Sequence, residues 1–166
     1  MAAPILVLGL GNMLLRDDGA GLELLDALRK LDGKDPRIEF LDGGTLGLAL
    51  LPHIAERHGL LVLDAIRLGA EPGTVHRVDD VLAKAPAHSA GAKGGAHQAN
   101  AGDLLRTAAL LGEMPRHAVI VGVEPKTVRT GVGLTAPVRD ALPRAADCAH
   151  HVLLELLDEI APPCTS

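Results

Sequence analysis

The chain almost lacks aromatic side chains: Phe40 is its single aromatic residue, and tryptophan and tyrosine are absent. Recognition of nucleic-acid bases by stacking on aromatic rings is therefore excluded. Hydrophobic residues still make up 48% of the 166 positions, chiefly leucine, valine, isoleucine and alanine. They are sufficient to fill the core of one domain, which we expect to span residues 1–166.

Serine and cysteine, the common nucleophiles of hydrolases, are also scarce. The serines are Ser89 and Ser166, and neither lies in the GxSxG turn that exposes a catalytic serine. Cys148 falls within a helical pattern, where a buried and inert thiol is expected, and Cys164 lies near the end of the sequence. The HExxH, Walker A and EF-hand motifs are absent. The composition argues against a serine hydrolase and leaves a metal-centred site.

Positive charge is in deficit, with 16 Lys and Arg against 21 Asp and Glu and a formal net charge of −5. Duplex nucleic acids are bound by concentrated basic patches, so we expect no nucleic-acid partner. The opening residues MAAPILVLGLG have no basic stretch and only a short apolar run, so we expect neither a signal peptide nor a membrane span. Two cysteines without a CxxC motif fit a reducing compartment, and the expected location is the cytoplasm.

Apolar runs of strand length alternate with segments of helical periodicity, which predicts an α/β domain with a largely parallel sheet. The predicted strands are Pro4 to Leu8, Arg37 to Leu41, Leu60 to Leu63, Thr74 to Val78 and Ala118 to Gly122. The predicted helices are Gly19 to Leu31, Leu46 to Arg57, Gly102 to Leu111 and Ala136 to Ile160, with Pro143 a candidate break in the last.

A long segment without a packing pattern, AKAPAHSAGAKGGA, runs from Ala83 to Ala96. Two interpretations stay open for it, a mobile loop of the active site and a flexible loop without function. The helix after it carries a start signal, because Asn100 can cap it and Asp103 falls in its positively polarised first turn.

The first strand leads into a glycine turn that begins like a dinucleotide-binding loop, with Gly9 and Gly11. Leu14 stands where the third glycine is needed, and two adjacent carboxylates, Asp17 and Asp18, would repel a pyrophosphate. A nucleotide-binding function is therefore a minor alternative. Peptidyl-tRNA hydrolases have a similar turn, but the basic surface expected for tRNA is absent.

Acidic residues recur where strands end. Asp64 ends the apolar run LLVL, Asp42 follows another predicted strand, and Asp18 lies in the loop after the first. If the strand order begins 2-1-3, Asp18 and Asp64 face each other across one crevice. Carboxylates gathered in an apolar crevice take up protons or bind a cation, and His97 is positioned to supply a third ligand. Such ligands suit Zn, Fe, Ni or Mn, and residue types alone do not choose among these metals.

For most of these acids taken singly, a structural role is the simpler interpretation. Asp18 would satisfy free helix amides, Asp17 would be solvated, and Asp42 would be a turn residue before two glycines. Asp64 resists this interpretation because it ends an almost wholly apolar run. The remaining histidines are interpreted as surface or structural residues: His53, His58, His76, His88, His117, His150 and His151.

Five segments together resemble the hydrogenase maturation endopeptidases, the proteases of the HybD, HycI and HoxW type. These segments are GLGNMLLRDDGAG at Gly9 to Gly21, LDGGT at Leu41 to Thr45, LVLDAIRLGAEPGTV at Leu61 to Val75, AHQANAGDLL at Ala96 to Leu105 and VGVEPKTVRTGVGLTAPV at Val121 to Val138. They follow the order of the family and cover almost the whole chain.

The resemblance implies a three-layer α/β/α sandwich with a twisted, mostly parallel, five-stranded sheet. It implies an endopeptidase that removes the C-terminal extension from the nickel-loaded precursor of a nickel-iron hydrogenase large subunit. Asp18, Asp64 and His97 fall on the nickel-recognising positions, as metal ligands and catalytic residues. The family's second motif, expected to shape the substrate cleft, falls on Asp42, Gly43, Gly44 and Thr45.

The resemblance also implies that nickel is supplied by the precursor, held there by cysteine thiolates, and is not a tightly bound cofactor. The protein is expected to be a monomer that acts on this one protein substrate. A non-catalytic, nickel-binding chaperone for the same precursor is the alternative that these residues leave open.

Overall fold

The computed structural model describes residues 2–84 and 101–160. In these ranges the strands are β1 (Ile5–Leu10), β2 (Ile38–Gly44), β3 (Gly59–Ala65), β4 (Val75–Val78) and β5 (His117–Val123). The α-helices are α1 (Ala20–Asp32), α2 (Leu51–Ile54), α3 (Val81–Lys84), α4 (Ala101–Leu110) and α5 (Ala136–Ile160). Short 3-10 turns lie at Arg16–Gly19 and Gly47–Leu50.

The five strands form one sheet in the order β2-β1-β3-β5-β4. The pairs of β1 with β2, β1 with β3 and β3 with β5 are parallel, and β4 pairs antiparallel with β5. The order 2-1-3, the condition for Asp18 and Asp64 to border one crevice, is present. In this register Gly9 lies beside Asp42 on one side and Leu63 on the other, so the carboxyl ends of the first three strands are level.

Two apolar cores cover the two faces of the sheet. Alternate residues of β1 point to opposite sides, so Val7 packs with Leu24 of α1 and Leu153 of α5, whereas Leu8 packs with Leu104 of α4. Every residue of β1 is buried because helices cover both sides. The expected three-layer α/β/α sandwich with a mostly parallel five-stranded sheet is confirmed.

The helix predicted from Leu46 to Arg57 is wrong in extent. The chain instead forms the 3-10 turn and then the single-turn helix α2, in which a proline occupies the first turn. Gly47 at φ +56° begins the segment and Glu56 at φ +64° follows its end, and neither angle is helical. The apolar spacing favours a longer helix, but the backbone conformations at Gly47 and Glu56 limit its length.

The longest helix, α5, continues through Pro143 without a break. Pro143 is exposed on the outer side of the helix, where a local distortion displaces no core side chain. The turn at Arg16–Gly19 and helix α3 were not predicted, and the capping residue proposed at Asn100 lies outside the described residues. Within the described ranges, no helix has both the length and the apolar character needed to cross a membrane.

Helix α1 approaches the ends of β1 and β3 so closely that its first turn needs a glycine. A β-carbon built on Gly21 would lie 2.3 Å from the carbonyl oxygen of Leu10 and 2.4 Å from that of Leu63. Both obstacles are backbone atoms of central strands, which have little freedom to move. The small residue sets the distance between α1 and the sheet.

We predict that Gly21→Ala destabilises the protein although alanine is the better helix former. The added methyl group has to displace α1 from β1 and β3, at a cost of roughly 1–3 kcal/mol or more in the free energy of unfolding. Urea unfolding followed by circular dichroism measures this change. Gly59→Ala is the matched control, because its β-carbon would approach only side-chain atoms, the nearest at 3.2 Å. Equal stability of the two variants would contradict the close-packing argument.

Candidate functional site

Two predicted site residues, Asp18 and Asp64, meet at the carboxyl ends of adjacent strands. Asp18 lies in the 3-10 turn that joins β1 to α1, and Asp64 is the penultimate residue of β3. Asp64 is only 8% exposed. Burial and then the charge of Asp18 raise the pKa of Asp64 to about 7, so the two carboxyl groups interact electrostatically.

The turn that carries Asp18 depends on a glycine and a backbone amide. The amide of Asn12 donates a hydrogen bond of 2.9 Å to Oδ2 of Asp18. Gly11 has φ +134°, and a β-carbon there would lie 1.9 Å from the carbonyl oxygen of Asp18. The side chain of Asp18 therefore caps its own loop, whereas α1 has no side-chain N-cap, contrary to the expectation that Asp18 satisfies free helix amides.

The pKa of Asp18 is also raised. Burial is the main cause, and it is opposed by the Asn12 hydrogen bond and by the charge of Arg67. Asp64 receives a 2.8 Å hydrogen bond from the amide of Ala65 to Oδ1, and a further one from the amide of Ala101, both of which favour its charged form. Two carboxyl groups are thus held in a crevice that solvates their charges poorly.

Such a pair is suited to binding a cation, because a divalent ion replaces the missing solvation and cancels the repulsion. In the described part of the chain, no three His, Cys, Asp or Glu side chains are grouped so as to hold a metal ion. The proposed third ligand, His97, lies outside the described residues, as does most of the segment from Ala83 to Ala96. The donor set present is consistent with two of the three predicted ligands.

Asp17 has a different role from the one expected. We expected a solvated side chain, but Asp17 is completely buried. Oδ2 accepts hydrogen bonds from the amides of Lys126 and Thr127, at 2.8 and 3.1 Å. Thr135 donates twice, from its amide to Oδ1 at 2.7 Å and from its hydroxyl to Oδ2 at 2.8 Å. This carboxylate anchors the segment 126–135 to the loop after β1.

The two adjacent aspartates consequently have pKa values shifted in opposite directions. Burial acts to raise the pKa of Asp17, but the hydrogen bonds from Thr135, Thr127 and Lys126 outweigh it and leave the pKa below its ordinary value. Asp18 has one such donor and a raised pKa. The first carboxylate is fully satisfied within the protein, and the second retains the capacity to bind a ligand.

A third buried acid, Glu124, was missed by the sequence reasoning. It follows β5, is 4% exposed, and accepts hydrogen bonds from the amides of Leu68 at 2.9 Å and Gly69 at 3.2 Å. Nε2 of His76 lies 2.8 Å from Oε2 of Glu124. These contacts offset burial and lower the pKa of Glu124, and they fix the loop after β3. The sequence pattern that identified Asp64 also applies to Glu124, because Glu124 directly follows an apolar run.

The positions predicted to shape the substrate cleft lie at the end of β2. Asp42 and Thr45 are exposed, and Asp42 belongs to the strand and not to the turn expected there. Gly43 is buried, and a β-carbon on it would lie 2.8 Å from Leu8. The carbonyl of Gly44 accepts a 3.0 Å hydrogen bond from the amide of Gly11, which joins this edge to the turn that holds Asp18.

The chain is similar to proteins of one known family. The model of the family described as HycI, hydrogenase maturation protease, matches residues 22–151. The chain belongs to the hydrogenase maturation protease family. Its similarity to the HupD hydrogenase expression/formation protein of Rhizobium leguminosarum bv. viciae is 37% identity over 153 residues, covering 92% of this chain and 75% of that protein.

Two further relatives come from Escherichia coli. The hydrogenase 2 maturation protease of strain K12 is 37% identical over 135 residues, covering 81% of this chain and 80% of that protein. The solved structure of the maturating endopeptidase HybD has a TM-score of 0.76 and 32% identity, covering 93% of each chain. The family resemblance deduced from the five motifs is confirmed.

Members of this maturation protease family cleave the C-terminal extension of hydrogenase large subunits. A chaperone without protease activity is therefore not favoured. The stretch matched by the family model contains Asp64 and His97 and begins four residues after Asp18. The roles of the individual side chains have to be argued from the geometry.

We predict that Asp17→Asn destabilises this maturation protease by roughly 2–4 kcal/mol at neutral pH. The NH2 group that replaces one carboxylate oxygen is a donor and would face donors of the segment 126–135. The lowered pKa means that the contribution of Asp17 is complete above the unfolded-chain pKa of about 3.9 and is lost as the pH falls through the folded-state pKa. Urea unfolding between pH 3 and pH 7 should show the gap between wild type and variant closing toward low pH.

Asp26→Asn is the control for this series. Asp26 is a surface residue of α1 that pairs with Lys30 at 2.8 Å, and its exposed ion pair is expected to contribute little. A pH-independent difference between wild type and Asp17→Asn would contradict the assignment of Asp17 as a charged anchor.

Proposed function

We propose that this protein is a nickel-dependent endopeptidase that cuts the C-terminal extension from the nickel-loaded precursor of a nickel-iron hydrogenase large subunit. The protease class follows from membership of the family. The observation that supports metal dependence is the close pair of poorly solvated carboxyl groups, Asp18 and Asp64. A divalent cation is the simplest partner for such a pair.

We assign Asp18, Asp64 and His97 as the nickel ligands. The amide of Ala101, which begins α4, donates to the carboxylate of Asp64. His97 precedes Ala101 by four residues, and four extended residues span at most about 14 Å. The chain length therefore allows an imidazole at position 97 to join the two carboxylates. Two carboxylates and one imidazole form a donor set that first-row transition metals accept.

In this proposal nickel is carried by the substrate. The precursor holds the ion with its cysteine thiolates, and the three protease side chains complete the coordination. Both proteins are then joined through one metal ion, so the extension is cut only after nickel has been inserted. The protease alone lacks the thiolates and is expected to hold nickel weakly.

We assign the nucleophile to water. Cys148 lies half-buried on α5, and burial raises the pKa of its thiol, which leaves little reactive thiolate. The aspartic-type assignment then rests on Asp18 and Asp64, which together with His97 would surround the reacting peptide. We assign the rim formed by Asp42 and Thr45, next to the close-packed Gly43 and Gly44, to the wall of the substrate cleft.

We further propose that the enzyme works as a cytoplasmic monomer. The described cysteine, Cys148, is a free thiol, and this agrees with a reducing compartment. The monomeric state rests on the family resemblance. Size-exclusion chromatography with light scattering tests it, and a stable dimer would contradict it.

The processing assay tests the function directly. Precursor with and without nickel is incubated with the protein, and intact mass spectrometry should show loss of a C-terminal peptide from the nickel-loaded form alone. Asp18→Asn, Asp64→Asn and His97→Ala should each slow this cleavage by more than the roughly 10–100-fold that is typical of losing a residue that only orients a metal ligand. Loss of the peptide from both forms would contradict the nickel requirement.

Two substitutions of exposed residues provide matched controls. Asp26→Asn on α1 and His53→Ala on α2 remove a carboxylate and an imidazole that lie away from the carboxyl ends of the strands. Both variants should process the nickel-loaded precursor at the wild-type rate. Normal processing by His97→Ala would overturn the ligand assignment. A stable complex with an uncut precursor would return the non-catalytic chaperone as the better interpretation.

The substrate-borne nickel predicts a second result. The purified protease, after treatment with a chelator and dialysis, should retain far less than one nickel per chain by elemental analysis. Added nickel should bind weakly by calorimetry, and Asp64→Asn should weaken it further, because only three protein ligands are available. Stoichiometric nickel that survives chelation would contradict this prediction.

A further inference from the structure

A solvent-open depression of about 530 Å³ lies beside the turn that carries the candidate site. Its lining consists of cationic and hydroxyl-bearing residues and contains no carboxylate: Arg16, Lys126, Thr127, Arg129, Thr130 and Thr135. The hydroxyl of Thr135 already donates to Asp17, but the guanidinium and ammonium groups and the hydroxyls of Thr127 and Thr130 are donors that suit an anion.

The cationic side chains of this depression form no ion pair with an acidic side chain of the described residues; Asp17, which lies beneath the lining, binds backbone amides and the Thr135 hydroxyl instead. Elsewhere arginine side chains pair with carboxylates, as Arg57 does with Glu39 at 2.6 Å. The structure shows no ion pair for Arg16, Lys126 or Arg129 within the described ranges. The depression is thus locally cationic, although the chain has a net charge of −5.

The backbone that carries these cations is held in place. The carboxylate of Asp17 binds the amides of Lys126 and Thr127, and the amide of Arg16 donates a 3.0 Å hydrogen bond to the carbonyl of Gly131. Nη1 of Arg16 donates to the carbonyl of Val132 at 3.0 Å, which orients its guanidinium group. The depression is therefore a built feature of the loops after β1 and β5.

Its position links it to the proposed cleavage site. Arg16 lines the depression, Asp17 anchors its floor, and Asp18, the next residue, is a proposed nickel ligand. Three consecutive side chains thus serve an anion site, a structural anchor and a metal site. The depression and the proposed nickel ligand Asp18 therefore belong to the same short turn after β1.

We infer that this depression binds the terminal carboxylate of the precursor's C-terminal extension, an inference that rests on the proposed function. A C-terminal extension of any sequence ends in one free α-carboxylate. Arginine and hydroxyl donors bind this group with charge-assisted, directional hydrogen bonds. Nickel would position one end of the extension and the depression the other, so that an internal segment of a protein is not accepted.

The test compares two nickel-loaded precursors that differ only in their last group. One ends in the native carboxylate and the other, made by peptide ligation, ends in a carboxamide. Wild-type protease should cut the amidated precursor with a KM about ten-fold higher and an unchanged kcat, as expected for loss of one charge-assisted contact.

The matched variant combines Lys126→Gln with Arg129→Gln, because both side chains are exposed. Arg16 is left unchanged, because its side chain makes a structural hydrogen bond and its backbone has a φ of +51°. This variant should raise the KM for the native precursor about ten-fold and cut both precursors alike. Arg116→Gln is the control. It removes one positive charge at the amino end of β5, opposite to the strand ends that carry the site, and should preserve the difference between the two precursors. Thermal melting verifies that each variant is folded.

The outcomes separate this inference from the proposed function. Equal KM values for both precursors with the wild-type protease would overturn it. The inference would also be overturned if the double variant raised the KM by the same factor over wild type for both precursors, so that the difference between them persisted. The depression would then bind some group other than the terminal carboxylate. If the wild-type protease cuts neither precursor, the proposed function fails. Fluorescence anisotropy then decides the inference separately, with tighter binding of the carboxylate form supporting it and equal binding overturning it.

Discussion

The buried carboxylate of Asp17 is the interaction on which the geometry of the site depends. It joins the loop after β1 to the segment 126–135 after β5, and β3 lies between these two strands in the sheet. The two loops are therefore tied together around the strand end that carries Asp64. Together with the hydrogen bonds of Arg16 to Gly131 and Val132, this anchor fixes the turn that carries Asp18 and the segment that lines the cationic depression.

The contrast between Asp17 and Asp18 shows how a protein separates structural from functional acids. A carboxylate that accepts four internal hydrogen bonds has its charge stabilised and no remaining capacity for a ligand. Asp18, with one such bond and Asp64 nearby, remains poorly satisfied in the protein by itself. Under the proposed function, the substrate supplies the cation that this pair lacks.

Prediction from sequence succeeded where a residue pattern has one physical outcome. Strand β3, which contains Asp64, and helix α1 follow from apolar periodicity, whereas the order 2-1-3 of the first strands was a condition that the structure met. It failed for the helix from Leu46 to Arg57, where backbone angles limit the helix, and for Asp17, whose partners are more than 100 residues away. The assignment of His97 stays a prediction.

The sequence by itself determined the α/β class, the family and the placement of acids at strand ends, because these depend on local periodicity and on motifs of adjacent residues. Tertiary structure alone decided which of two neighbouring aspartates is buried and satisfied, and that Glu124 fixes the loop after β3. It also decided that Arg16 and Arg129 share one depression. These outcomes depend on hydrogen bonds and charges between distant segments, and no short window of residues contains them.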